Sequence, residues 1–189
     1  MKAVLASSNP HKAEELARSL PGWEIGVLGV ELPPETGSSY YENARAKAEF
    51  GRQVRPGDWI LGEDSGLEVD GLGGRPGIHS ARWATEAVPA LLAELRGVEG
   101  DARRARYVCE LVCFSPDGSE LRGTGTLEGR IAEEARGDEG FGYDPIFVPE
   151  GETQTVAELG NSWKADHSHR ARAARALVEA FGRAISALI

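Results

Sequence analysis

Apolar and polar positions change period in blocks along the chain. Lys2 to Ala6 is a short apolar run broken by Ser-Ser-Asn-Pro, and residues 11–20 then place Ala13, Leu16, Ala17 and Leu20 at helical spacing. The opening therefore reads strand, loop, helix. A second strand fits 23–30, a proline-rich turn follows, and 38–54 reads as a helix stopped by Pro56 and Gly57. Residues 59–72 read as two short strand-like pieces separated by the acidic, glycine-containing Glu63-Asp64-Ser65-Gly66, while 73–83 is too rich in glycine and proline for regular structure. A helix near 86–96 precedes two long strand-like segments, 104–116 and 119–132, around a Pro-Asp-Gly-Ser turn, which predicts a long hairpin. Residues 137–151 read as a loop leading into a short strand at 145–148. The last segment, 168–188, carries Ala171, Ala174, Val178, Phe181, Ile185 and Leu188 on one stripe, the mark of an amphipathic helix. This alternation predicts an α/β fold: a mixed twisted sheet with flanking helices, two lobes around a central cleft, and a long antiparallel hairpin in one lobe.

Composition narrows the picture. A chain of 189 residues is long enough for one domain, 1–189, or two small lobes sharing a core. A net charge of -9 opposes a role in holding nucleic acid, whose backbone demands positive surface. The apolar runs fall short of the ~18 residues of a membrane span, so no membrane partner is expected. The N-terminal apolar stretch is too short for a signal peptide, which points to the cytoplasm. Cys109 and Cys113 share one face of a strand in an apolar run, and their spacing is not a usual zinc spacing, so they read as reduced core thiols.

Four segments carry candidate chemistry. Ser7, Ser8 and Asn9 lie between the first strand and a helix that begins near Pro10, where backbone N–H groups face outward and attract phosphate; a plain cap and turn is the competing reading. Lys12 sits in the first helical turn, where the helix dipole disfavours a cation unless an anion compensates. Glu63 and Asp64 are adjacent acids that point opposite ways on an extended chain, so one can enter a cleft to hold Mg²⁺ or take a proton from water, unless both belong to a solvated turn. Phe141 and Tyr143, among the glycines of GFGYD (140–144), either plug the domain or stack on a planar ligand. Lys164, His169 and Arg170 crowd hydrogen-bond donors near the start of the last helix, where an acceptor-rich ligand or plain solvation offsets them, and His167 reads as surface.

Together these segments resemble the inosine triphosphate pyrophosphatase family, which converts deaminated purine nucleoside triphosphates to the monophosphate and pyrophosphate. The resemblance runs nearly end to end, through SSNPHKAEE (7–15), ENARAKA (42–48), EDSGLEVDGLGGRPGIHSARW (63–83), GFGYDPIF (140–147), AEL (157–159), and SHR (168–170) with Lys164 upstream. It implies that Ser7, Ser8, Asn9, Pro10, His11 and Lys12 hold the triphosphate. Asp64 then binds Mg²⁺ and orients or deprotonates the attacking water, with Lys12 sharing the catalytic work, and Ser65 touches the substrate. Phe141, Gly142, Tyr143 and Asp144 line the base and sugar pocket, while Lys164, His169 and Arg170 read the purine edge. Two departures stand out. Glu63 replaces an aspartate common in that motif, and Pro34 stands where relatives often carry a metal-binding glutamate, a role the resemblance passes to Glu35, with Glu42 and Glu63 as the other acids available. The implied substrate is ITP, dITP or XTP, and the implied assembly is a homodimer. A Maf-type nucleotide pyrophosphatase is a rival because ASSNP echoes its opening, and a non-catalytic nucleotide sensor is a rival of another class.

Overall fold

In the computed structural model, residues 1–186 are described, apart from the side chain of Ile185. Six strands form one mixed sheet in the order β2-β1-β3-β4-β5-β6. They are β1 (Lys2–Ala6), β2 (Glu24–Val27), β3 (Ile60–Val69), β4 (Arg104–Phe114), β5 (Glu120–Ile131) and β6 (Phe147–Pro149). The helices are α1 (Pro10–Ser19), α2 (Tyr40–Val54), α3 (Ala87–Glu94), α4 (Val156–His167) and α5 (His169–Ser186). No helix among the described residues is long and apolar enough to cross a membrane. The chain divides into two compact units: one holds Met1–Asp64, Cys109–Gly125 and the C-terminal segment from His169, the other Ser65–Val108 and Thr126–Ser168.

In the first unit β1 pairs in parallel with both β2 and β3. Period-two alternation sends successive residues of these strands into separate cores. Ala3, Leu5, Leu61, Cys109, Leu111 and Cys113 pack with Ala13, Leu16 and Leu20, and with Ala173, Ala174 and Leu177 of α5. Their neighbours Val4, Ile60, Val112 and Phe114 pack instead with Ala44 and Ala48 of α2. Both cysteines are free and buried. Gly62 admits α2 at close range, since a Cβ there would stand 2.0 Å from the carbonyl oxygen of Ala44. In the second unit Leu67, Val69, Tyr107, Leu127, Ile131 and Phe147 of the strands form a core with Leu91, Leu95, Tyr143, Ile146 and Val156. The turn between β4 and β5 is closed by Ser115 N–H donating to the Ser119 carbonyl at 3.0 Å, as the predicted hairpin requires.

Four local expectations change. β3 is one continuous strand, so Glu63 and Asp64 lie within it with no break between two strands; as an internal strand its backbone is paired, and Glu63 meets Lys12 while Asp64 meets Lys47, so burial does not break it. β2 ends at Val27 rather than residue 30. Helix α4 has no counterpart in the sequence reading, because Gly160, at φ 85°, interrupts its helical period; a capping box formed by Thr155 and Glu158 starts it. On α5 Ala171 and Ala174 are buried as expected and Ala173 and Leu177 join them, while Val178 is 43 % exposed. The expected stripe positions Ile185, for its side chain, and Leu188 lie outside the described residues.

Candidate active site

Within the first unit, the end of β1 and the start of α1 build a self-capped loop. Asn9 is the N-cap of α1, its side-chain oxygen accepting from His11 N–H at 3.0 Å, and the buried Ser7 hydroxyl accepts from Asn9 N–H at 3.1 Å. Ser8, Pro10 and His11 are exposed. Pro10 opens the helix, where its missing N–H costs nothing. Lys12, in the first turn, does find an anion: its ammonium lies 2.6 Å from Glu63 Oε2.

Alternation along β3 separates the two acids. Glu63 is fully buried and receives Arg170 from α5, whose Nη2 and Nε donate to Oε1 at 2.9 and 3.2 Å. The same guanidinium pairs through Nη1 with Glu15 of α1, and the Cys109 thiol lies 3.6 Å from Glu63 Oε1. Two carboxylates thus face two cations, and formal charge balances. Burial alone would raise the Glu63 pKa, but Lys12, Arg170 and Lys47 outweigh it and hold the carboxyl well below its usual range. Burial, with Glu63 beside it, pushes the Cys109 thiol well above its ordinary value.

Asp64 belongs to a different cluster. Its Oδ1 lies 2.8 Å from Lys47 Nζ, and its Oδ2 accepts from Asn43 Nδ2 at 3.1 Å. Asn43 and Lys47 are four residues apart on α2 and so share one helical face. Lys47 also lies 2.5 Å from Glu35 Oε1 and donates to the Glu63 carbonyl at 3.0 Å. Asn43 in turn accepts from Gly37 N–H at 2.9 Å, tying the loop that carries Glu35 to the helix. Here two carboxylates share one ammonium. Burial raises the Asp64 pKa against the pull of Lys47, making it a stronger base than a surface aspartate. For Lys47, burial works to lower the pKa, but Asp64 and Glu63 raise it on balance.

The chemistry of this donor set fits a hard divalent cation: two carboxylate oxygens already converge on one positive centre, and Mg²⁺ is commonly held by one or two carboxylates together with substrate phosphates. No group of three or more His, Cys, Asp or Glu able to hold a metal occurs among the described residues. Of the other acids considered, Glu42 is committed to capping α2, accepting from Ser38 N–H and Oγ at 2.6 and 2.7 Å, contacts that lower its pKa. Glu63 is committed to Lys12 and Arg170.

The second unit holds the aromatic loop. Asp144 is buried at its centre, where its Oδ2 accepts from Phe141 N–H at 2.8 Å and lies 2.7 Å from Lys164 Nζ, and its Oδ1 accepts from the Tyr107 hydroxyl at 3.3 Å. The Lys164 ammonium stands 4.5 Å from the centre of the Phe141 ring. Tyr143 is buried, donates to the Ser80 carbonyl at 3.1 Å, and has its pKa pushed up to about 12 by burial. Gly142, exposed at φ 64°, supplies the left-handed backbone of the loop. Lys164 sits in the last turn of α4, where a cation suits the dipole, and not at the start of the last helix; His169 and Arg170 open α5. Ser65 is half-buried in β3.

Four residues without an assigned role in the sequence reading join these clusters: Glu15, Asn43, Lys47 and Tyr107. The signal was present for two of them, since the i, i+4 spacing of Asn43 and Lys47 inside ENARAKA places an amide and an ammonium side by side on one helix.

A parallel-stranded α/β unit with a buried carboxylate pair at an ammonium, and a second unit with an Asp-Lys-Phe loop cluster, place the chain in the mixed α/β class. The profile of the Ham1 family matches residues 3–180, and the chain belongs to that family. It is similar to the dITP/XTP pyrophosphatase of Bdellovibrio bacteriovorus, 42 % identical over 95 % of this chain and 96 % of that protein. The dITP/XTP pyrophosphatase of Bacillus subtilis is 39 % identical, covering 93 % of this chain and 94 % of its own. Among solved structures, the Ham1 protein of Staphylococcus aureus superposes with a TM-score of 0.82 at 35 % identity, covering 98 % of this chain and all of that one. The Coxiella burnetii HAM1 protein gives 0.84 at 32 % identity, covering 97 % and 99 %.

Proposed function

We propose that residues 1–189 act as one pyrophosphohydrolase domain that converts ITP, dITP or XTP to the monophosphate and pyrophosphate. The observation that carries this reading is the buried Asp64, a base strengthened by burial and held by Lys47 and Asn43 beside Glu35. Names of close relatives, dITP/XTP pyrophosphatase, support the substrate class.

In this reading Glu35 and Asp64 hold Mg²⁺, which when bound offsets phosphate charge and makes pyrophosphate a better leaving group. The Ser7 to His11 loop and the Lys12 ammonium bind the phosphate chain at the α1 N-terminus. Asp64 takes a proton from water as the water oxygen bonds to the α-phosphorus. The bond from that phosphorus to the bridging oxygen breaks, and pyrophosphate carries away the electron pair. Phe141 stacks on the purine, Tyr143 and Asp144 shape the loop, and Ser65 contacts the nucleotide. Lys164, His169 and Arg170 supply donors to the purine edge. Lys164 has donors only, which suits the 6-keto group of hypoxanthine and xanthine and rejects the 6-amino group of adenine. A cytoplasmic homodimer is part of the same reading, and sedimentation equilibrium checks the assembly.

The deciding experiment incubates the pure protein with ITP and Mg²⁺ and separates the products. IMP with pyrophosphate in equal amounts supports the reading; single phosphate, or no turnover of ITP and XTP, overturns it.

A further inference from the structure

We propose that Lys47 is a resident counter-ion of the Glu35 and Asp64 carboxylates that competes with a divalent cation for them, so that metal binds strongly only when it arrives with the nucleotide. The inference rests on the metal-assisted reading above and adds an order and a coupling to it.

Three acceptors surround the Lys47 ammonium: Glu35 Oε1 at 2.5 Å, Asp64 Oδ1 at 2.8 Å and the Glu63 carbonyl at 3.0 Å. An ammonium has three N–H donors, so all are engaged. Lys47 is only 8 % exposed, and little water screens these contacts. The oxygens a divalent cation needs already face one positive centre. A metal ion arriving alone therefore meets a pair of carboxylates already partly neutralised, and must displace the ammonium to reach both.

Nucleotide phosphates change that balance. They bring several negative charges and acceptor oxygens, to which an ammonium on a flexible four-carbon stem can turn when the metal takes its place. Asn43, bonded to the other oxygen of Asp64, keeps that carboxylate oriented during the exchange. Lys47 thus makes metal and nucleotide binding favour each other, and linkage requires the effect to be reciprocal. Lys12 and Arg170 differ, because they meet Glu63 and Glu15, two carboxylates for two cations.

The test measures Mn²⁺ binding by electron paramagnetic resonance, with and without a non-hydrolysable ITP analogue, in wild type, Lys47→Met and Lys47→Gln. Thermal unfolding with and without Mn²⁺ accompanies it. Without nucleotide, both variants should bind Mn²⁺ at least about tenfold more tightly than wild type, within the about 5–150-fold span of site coupling. Mn²⁺ should also raise their melting temperature more than that of wild type, and the gain in Mn²⁺ affinity on adding the analogue should shrink. Mn²⁺ affinity without nucleotide that is unchanged or weaker in the variants overturns the proposal. Failure of both variants to fold in millimolar Mn²⁺ also overturns it, because the metal would then not be replacing the ammonium. Pyrophosphate release from ITP by wild type is scored separately: its absence rejects the proposed function, whereas its presence with unaltered Mn²⁺ binding in the variants rejects only the role of Lys47.

Discussion

Replacing Arg170 by Met keeps the length and apolar stem of the side chain and removes its charge. Arg170 is 1 % exposed and neutralises Glu63 and Glu15, both buried. The variant leaves Glu63 with Lys12 and strips Glu15 of its guanidinium partner. Breaking a buried ion pair by removing one member costs about 3–5 kcal/mol, mostly the cost of the charge left behind. For a chain of this size each kcal/mol moves Tm by about 2–4 °C, so Tm should fall by about 10 °C at pH 7. The pH dependence has a definite sign. Glu63 titrates below its usual range in the folded protein, so its contribution to stability is present above the unfolded pKa and lost as pH falls through the folded one. Without Arg170 the folded pKa moves up, and the contribution shrinks. The gap between wild type and variant should therefore be widest at neutral pH and narrow toward pH 4. Calorimetry in EDTA at several pH values reads both quantities, and a loss under about 3 °C at pH 7, or a gap that widens on acidification, refutes the counter-ion argument. Kinetics on the same variant tests the purine-edge role: kcat/KM for ITP should fall far more than for ATP, and an unchanged ratio would mean that the guanidinium serves its carboxylates alone.

Asp64→Asn should lower pyrophosphate release at least about 100-fold, the lower range for loss of a general base, with circular dichroism unchanged; retention of a tenth of the rate would remove Asp64 from proton transfer. Asp144→Asn weakens the hold on Lys164 while the amide oxygen can still accept from Phe141 N–H, so selectivity for ITP over ATP should drop more than kcat for ITP, as steady-state kinetics on both nucleotides will report. Gly62→Ala places a methyl 2.0 Å from the Ala44 carbonyl oxygen and 2.7 Å from the Ala48 nitrogen, both backbone atoms of α2. The helix must shift, at about 1–3 kcal/mol or more, and chemical denaturation should show it.

Much of the scaffold was legible because it is local. The apolar run ending at Ala6, with Asn9 and Pro10 after it, specifies strand, cap and helix start through contacts within a few residues. The hairpin around residues 115–119 announced itself through Pro-Asp-Gly-Ser between two strand-like segments. Helix α4 did not, since Gly160 breaks the period that would reveal it. That the strand runs on unbroken through the acidic pair is equally hard to read locally: acids favour loops unless cations meet them, and those cations come from far along the chain.

The sequence by itself determined which residue types were available: adjacent acids that must point opposite ways, a Ser-Ser-Asn-Pro turn before a helix, an aromatic glycine loop, and four lysines at Lys2, Lys12, Lys47 and Lys164. Alternation along a strand and the spacing of a helix are properties of the backbone, so they can be read without knowing the fold. Only the tertiary structure decided how charges were shared. Glu63 draws Lys12 and Arg170, separated by more than 150 positions in the chain, while Asp64 draws Lys47 and, through it, Glu35. No local rule assigns such partners, because the energy of a buried charge depends on every charge that packing brings within a few ångströms.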